Sequence, residues 1–121
     1  MQKIITILTL FCLSIPIPAV AGGSPETTLL VVNADSTLSL TVANTYSRLR
    51  EIPGNHIVWL HDIPSLGKID MKTFRERIWT PVRIHMDTQG LGEHIDSIVY
   101  SADFPYAVDI RMELKRHKVK P

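Results

Sequence analysis

Leu29-Leu30-Val31-Val32 is an uninterrupted apolar run in a chain of 121 residues, and the polar group Asn33-Ala34-Asp35-Ser36 follows it directly. Such a run, rich in β-branched residues, is typical of a strand that is buried on both faces of a parallel sheet. Two more short apolar runs, Ile57–Leu60 and Ile98–Tyr100, follow later in the chain. The sequence therefore predicts three buried strands.

Helical patterns separate the three runs. Asp35 or Ser36 is a suitable N-cap for the first helix, because a short side-chain oxygen can accept a hydrogen bond from a free N–H of the first turn. Asp70 is the corresponding cap for the second helix, and we expect Pro81 to kink or break that helix near Thr80. The apolar residues recur every three or four positions and so mark one face of each helix: Leu38, Val42, Tyr46 and Leu49 in the first, and Phe74, Ile78, Val82 and Met86 in the second.

Strand, helix, strand, helix, strand is the order of a parallel layer, because parallel strands need crossover connections. We therefore predict an α/β fold with a three-stranded parallel β-α-β-α-β layer, the first half of a doubly wound (Rossmann-like or flavodoxin-like) domain. Open sheet edges attract further strands, so we expect self-association or a partner chain that completes the sheet. The predicted core consists of Leu30, Val32, Val42, Tyr46, Val58, Leu60, Phe74, Ile78 and Val99.

The N-terminus has the pattern of a secretory signal. Lys3 precedes a charge-free stretch, and Ala19 and Ala21 supply the small residues that signal peptidase accepts before Gly22. Pro16 and Pro18 argue against the alternative of a spanning helix. We predict a signal peptide at 1–21, a flexible lead-in at 22–27, an α/β domain at 28–110 and a basic tail at 111–121, with no stable membrane anchor after cleavage.

The cysteine content and the charge balance exclude some classes of function for the mature chain. Cys12 is the only cysteine and would leave with the signal, so the mature chain would have neither a disulfide nor a thiolate nucleophile. Lys3 is the only charged residue of the signal, so the remainder carries equal numbers of acidic and basic groups. That balance argues against general nucleic-acid binding. We expect a periplasmic or extracellular protein whose basic end, from Arg111 onward, is a solvated tail.

Polar residues follow each predicted strand. In open parallel sheets, ligands bind beyond the carboxyl ends of the strands. The candidate ligand-binding residues there are Asn33, Asp35, His61, Asp62, Ser101 and Asp103. The alternative is purely structural: Asp35 would cap a helix, and the other residues would form turns.

No motif in the chain identifies a catalytic or cofactor site. His61 and Asp62 could join His56 or Asp35 at a metal, but the spacing is weak, so we predict neither a metal site nor catalytic residues. A nucleophile elbow is absent from the sequence, and no glycine-rich turn follows the first strand. We therefore expect no cofactor.

Several stretches together resemble an uncharacterised exported bacterial family that occurs in genomes with the PEP-CTERM/exosortase sorting system. They are Thr28–Asn33, Asp35-Ser36, Ala43–Tyr46, Arg50–Pro53, Phe74–Arg83 and Ile95-Asp96. Members of that family extend well beyond the third strand, so we expect this chain to be a truncated member. A looser likeness is to the caspase-like fold of gingipain-type secreted peptidases, whose catalytic cysteine this sequence lacks.

The resemblance implies an exported α/β protein and brings no established activity. Two classes of function remain open. The first is a non-catalytic envelope or extracellular module that binds a protein or a cell-surface polymer. The second is a fragment or subunit of a secreted α/β hydrolase-like enzyme, with its site at the carboxyl ends of the strands.

Overall fold

The computed structural model describes residues 23–64 and 67–117. The predicted signal, with Ala19, Ala21 and Gly22 at its cleavage site, lies outside the described residues, as do the last four residues of the predicted tail. In the described part of the chain, no helix is long and apolar enough to cross a membrane.

The helices and strands alternate as the sequence predicts, with short additions. Two 3₁₀ turns, Pro25–Thr27 and Gly54–His56, lead into the first two strands. The other elements are β1 (Thr28–Asn33), α1 (Thr37–Arg50), β2 (Ile57–Leu60), β3 (Lys68–Asp70), α2 (Met71–Phe74), a π-helical turn (Arg75–Trp79), α3 (Thr80–Thr88), β4 (Ser97–Tyr100), β5 (Ala107–Asp109) and α4 (Arg111–Arg116).

The main sheet has the strand order β2-β1-β4, and both pairings are parallel. Leu30 of β1 lies opposite Ile57 on one side and Val99 on the other. All six residues of β1 are buried, as expected for a central strand covered on both faces. The predicted α/β fold with a three-stranded parallel layer is confirmed.

The two crossovers cover opposite faces of this sheet. Leu30 and Val32 pack with Ala43 of α1, whereas Leu29 and Val31 pack with a cluster that includes Val82 of α3. The first crossover leads from the central strand β1 to the edge strand β2, and the second leads back past β1 to β4 at the other edge. Because such crossovers are right-handed and these two run in opposite directions, their helices lie on opposite faces of the sheet.

One face of α1 differs from the prediction. Ser39 and Ala43 contact the sheet and are almost fully buried, while Val42 is 42% exposed. Small side chains let the helix backbone approach the sheet closely, so the larger apolar residues fall on an adjacent, outward stripe. The prediction that Val42 lies in the core is therefore wrong.

The remaining predicted core residues are buried to different degrees. Five of them are buried: Leu30, Val32, Val58, Leu60 and Ile78. The other three, Tyr46, Phe74 and Val99, are partly buried and pack against the two clusters.

The second helical segment absorbs Pro81 without breaking. Asp70 caps it, as predicted, by accepting a hydrogen bond of 2.7 Å from the N–H of Thr73. In the turn that directly precedes the proline, the Thr80 N–H donates to the carbonyl of Arg75, five residues back, which widens the helix. A widened turn gives the proline ring room and lets the chain continue as α3 without an interior break.

A two-stranded parallel ribbon, β3 with β5, was not predicted. Ile69 pairs in register with Val108, and Lys68 forms an ion pair of 3.3 Å with Asp109. The sequence predicted a solvated basic tail from Arg111 onward. The described part of this segment contains α4, and the carboxylate of its Glu113 lies 3.5 Å from the guanidinium of Arg75.

Ile78 and Ile84 allow a matched test of this packing, since Ile78 is 3% exposed and Ile84 is 59% exposed. Ile78→Ala should lower the free energy of unfolding by about 2–5 kcal/mol, because it leaves a cavity between the helix and the sheet. Ile84→Ala should change it by no more than about 0.5 kcal/mol. Urea titrations of the two variants measure this difference, and equal losses would contradict the described packing.

Candidate functional site

The structure brings all six candidate ligand-binding residues to the carboxyl edge of the main sheet, and we call this group the carboxyl rim. It consists of Asn33, Asp35, His61, Asp62, Ser101 and Asp103. Asp35 joins the end of β1 to the loop after β2. One of its oxygens lies 2.8 Å from His61 Nδ1, and the other accepts a hydrogen bond of 2.7 Å from the N–H of Asp62. The two loops are thus tied together by a single carboxylate.

A second set of bonds joins β1 to the loop after β4. The Asn33 side-chain amide donates to the Asp103 carbonyl at 2.9 Å, and the Ser36 hydroxyl donates to the Asp103 carboxylate. The Ser101 hydroxyl donates to the carbonyl of Ser39 in the first turn of α1, at 2.7 Å. The carboxyl rim is therefore a continuous hydrogen-bonded network across three loops.

The roles within this network differ from the simple structural interpretation of the sequence. Ser36, and not Asp35, caps α1 by accepting a bond of 3.1 Å from the Ser39 N–H. Asp62 and Asp103 both have a positive φ, of 52° and 59°. Aspartate tolerates this conformation better than most residues, and such positions are enriched where loops are shaped for function.

Electrostatics favour an ionised Asp35. The hydrogen bond from the Asp62 N–H, followed by the interaction with His61, holds the pKa of the Asp35 carboxyl below its ordinary value of 3.8. A carboxylate hydrogen-bonded to imidazole Nδ1 orients the ring and leaves Nε2 for other partners, which is how a general base is held in many hydrolases. The side chains of His61 and Asp35 are 67% and 52% exposed, so solvent screens this pair.

The other polar candidates for a metal site do not converge. His56 is buried, and its Nδ1 lies 3.3 Å from the Thr28 carbonyl. Within residues 23–64 and 67–117, no three His, Cys, Asp or Glu residues are grouped so that they could hold a metal ion.

An apolar pocket that sequence reasoning missed borders the β4 end of the carboxyl rim. Its volume is about 170 Å³, and it lies between the main sheet, the widened helical turn and the β3–β5 ribbon. Tyr100 and Phe104, which flank Ser101 and Asp103 in the chain, pack edge to face with ring centroids 5.2 Å apart. The full lining is Ile69, Phe74, Ile78, Tyr100, Phe104, Pro105 and Val108.

The lining gives this pocket a low polarity. Burial raises the pKa of the Tyr100 hydroxyl above its ordinary value of 10.0, so this phenol stays neutral at physiological pH. The spacing of Phe74 and Ile78 on one helical face, together with Tyr100 at the end of the third predicted strand and Phe104 shortly after it, was the only signal of the pocket in the sequence.

Comparison with known proteins gives no further assignment: no family model, no curated protein and no solved structure matches this chain.

Asp35→Asn should reduce the acid sensitivity of folding. A carboxyl whose pKa is lowered in the folded state stabilises that state fully above its unfolded value of 3.8, and this contribution is lost as the pH falls through the lower folded-state pKa. The stability difference between the wild-type chain and Asp35→Asn should therefore shrink between about pH 6 and about pH 2.

Thermal melts over this pH range measure the effect, with Asp87→Asn, at an exposed aspartate of α3, as the control. This variant removes one exposed carboxylate away from the carboxyl rim, so it controls for the general effect of losing a negative charge. If the stability difference between the wild-type chain and Asp35→Asn did not vary with pH, the hydrogen bonds of Asp35 with His61 and Asp62 would not persist in solution.

Proposed function

We propose that this chain is an exported, non-catalytic module of the envelope or extracellular space that binds an apolar side chain of a protein partner. Export is supported by Lys3, the charge-free stretch after it, and the small residues Ala19 and Ala21. The family resemblance noted above supports the same location. A cysteine-free mature chain is compatible with oxidising surroundings and does not depend on them.

Mass spectrometry of the protein recovered from the periplasm or the medium tests export. The expected first residue is Gly22, because peptidase cleaves after small residues at the −3 and −1 positions. Ala21→Leu should block this processing, whereas Ala34→Leu, well beyond the cleavage site, should leave the cleavage position unchanged. A recovered protein that retains Cys12 would contradict the proposal.

The apolar pocket beside the carboxyl rim carries the binding function. An apolar cavity of about 150 Å³ holds a benzene molecule, so a pocket of 170 Å³ has room for an aromatic or branched side chain. Binding sites commonly combine an apolar concavity with a few fixed polar groups, and here the polar groups are those of the carboxyl rim. Ile69, Phe74 and Val108 in the lining favour a peptide side chain over the polar surface of a polysaccharide.

The pocket should bind N-acetyl-phenylalaninamide with a dissociation constant on the order of 1 mM, and should bind N-acetyl-glycinamide or maltotriose far more weakly. Chemical-shift changes at Tyr100, Phe104 and Val108 report the occupancy. Val108→Phe should abolish binding because the new ring fills the pocket. Ile84→Phe, which adds the same ring at an exposed site outside the lining, should not.

A cooperative thermal unfolding transition of Val108→Phe, near that of the wild-type chain, checks that this variant is folded. Two results would contradict the proposal. One is equal chemical-shift changes with N-acetyl-phenylalaninamide, N-acetyl-glycinamide and maltotriose, and the other is unchanged binding by Val108→Phe.

The second candidate, a hydrolase-like enzyme or a subunit of one, is favoured by one observation. Asp35 orients His61 at 2.8 Å, as a general base is oriented. This interpretation requires turnover of a peptide, ester or glycoside substrate by the purified protein, lost in both His61→Ala and Asp35→Ala. Such a result would replace the binding function by a catalytic one.

A further inference from the structure

The outward surface of α1 carries three large apolar residues, and its first charged residue is Arg48 in the last turn. Leu38, Val42 and Leu49 are 56%, 42% and 74% exposed. The helix has no charged residue from Thr37 to Ser47. A helix surface that faces water normally carries charged side chains, so three large apolar residues with only uncharged polar neighbours before Arg48 favour a surface that a partner covers.

The spacing along this surface is that of a helix–helix seam. Leu38, Val42, Thr45 and Leu49 are separated by four, three and four residues, the alternation of a and d positions in a coiled coil. We call these four residues the outer seam. The Thr45 hydroxyl donates to the Thr41 carbonyl at 3.0 Å, so burying this side chain leaves no unpaired donor.

The outer seam has the same shape in both directions. From either end it presents a leucine, two β-branched residues of similar size and another leucine, with the same spacing. A surface that matches itself after reversal satisfies the requirement of a two-fold interface, in which each patch meets its own copy. An antiparallel pair would place Leu38 against Leu49 of the second copy and Val42 against Thr45.

Charge at the two ends of α1 points to the same arrangement. Arg48 and Arg50 lie in its last turn, and Glu51 directly after it leaves one net positive charge there. Asp35, Asp62 and Asp103 surround its N-terminus, with His61 as the only base of the carboxyl rim. Antiparallel pairing brings the basic end of each copy toward the acidic end of the other, and it also opposes the two helix dipoles.

We propose that the outer seam of α1 is an interface between two copies of this chain, packed antiparallel about a two-fold axis. The seam is about 16 Å long, the rise of eleven helical residues. A contact of this length is smaller than a standard stable interface, so the dimer is weak and reversible, with a dissociation constant on the order of 100 µM. The proposal uses no residue of the apolar pocket, so its failure would leave the proposed ligand binding unaffected.

Sedimentation equilibrium from about 5 µM to about 500 µM tests self-association at concentrations on both sides of that constant. The protein is purified from the compartment in which it accumulates, and Cys12→Ser excludes any native thiol. The weight-average mass should rise toward twice that of the monomer. Leu49→Glu should keep the chain monomeric throughout, and Ile84→Glu, at a similarly exposed apolar residue of α3, should not.

A thermal melt at the lowest concentration should show the same midpoint for Leu49→Glu and the wild-type chain, because Leu49 makes no core contact. A wild-type chain that is monomeric at every concentration would overturn the proposal. So would a dimer that persists in Leu49→Glu.

Disulfide trapping tests the antiparallel arrangement, because the mature chain offers no other thiol. A mixture of Leu38→Cys and Leu49→Cys chains should form a cross-linked dimer at least tenfold faster than either variant alone. Thr88→Cys, on α3, is the control for random collision. Faster cross-linking of Leu38→Cys with itself would indicate parallel helices and would contradict the proposed two-fold axis.

Discussion

The complete burial of β1 is the constraint on which the rest of the structure depends. Its six residues pair with β2 on one side and β4 on the other, and neither face of the strand is open to water. A strand in this position can be stable only if each face is covered by a helix and each neighbour arrives through a crossover. The opposite placement of α1 and of the α2–α3 segment follows from this requirement.

The same strand determines where the carboxyl rim forms. Because β1 is central, the residues at its end lie between the loops after β2 and β4. Asn33 reaches the loop after β4, and Asp35 reaches the loop after β2. One polar turn thus holds both neighbouring loops, and the apolar pocket lies next to a rim that is already ordered.

The order of strands and helices along the chain, the caps and the rim could be predicted because each depends on local sequence. Ser36 and Asp70 cap their helices by bonds within one turn, and the rim residues directly follow apolar runs. The β3–β5 ribbon and the pocket could not be predicted, since strands of three residues leave no periodic signal and their partners lie far apart in the chain. Trp59 and Trp79 lie in or beside apolar stretches of the sequence and are nevertheless 48% and 36% exposed, because hydrophobicity alone does not specify which neighbours an edge strand or a helix flank will have.

The wrong prediction that Val42 of α1 lies in the core has a physical cause, and the same cause bears on the proposed self-association. Helix–sheet contact selects for close approach, and Ser39 and Ala43 provide it, with the Ser39 hydroxyl accepting from the Asn33 N–H at 3.0 Å. A periodicity search weights side chains by hydrophobicity and therefore selects the larger Leu38 and Val42, one position earlier in each turn. The exposed parts of Leu38 and Val42 do not contribute to the packing between α1 and the sheet. Their regular spacing agrees with the proposed packing of a second copy of α1 against the same surface.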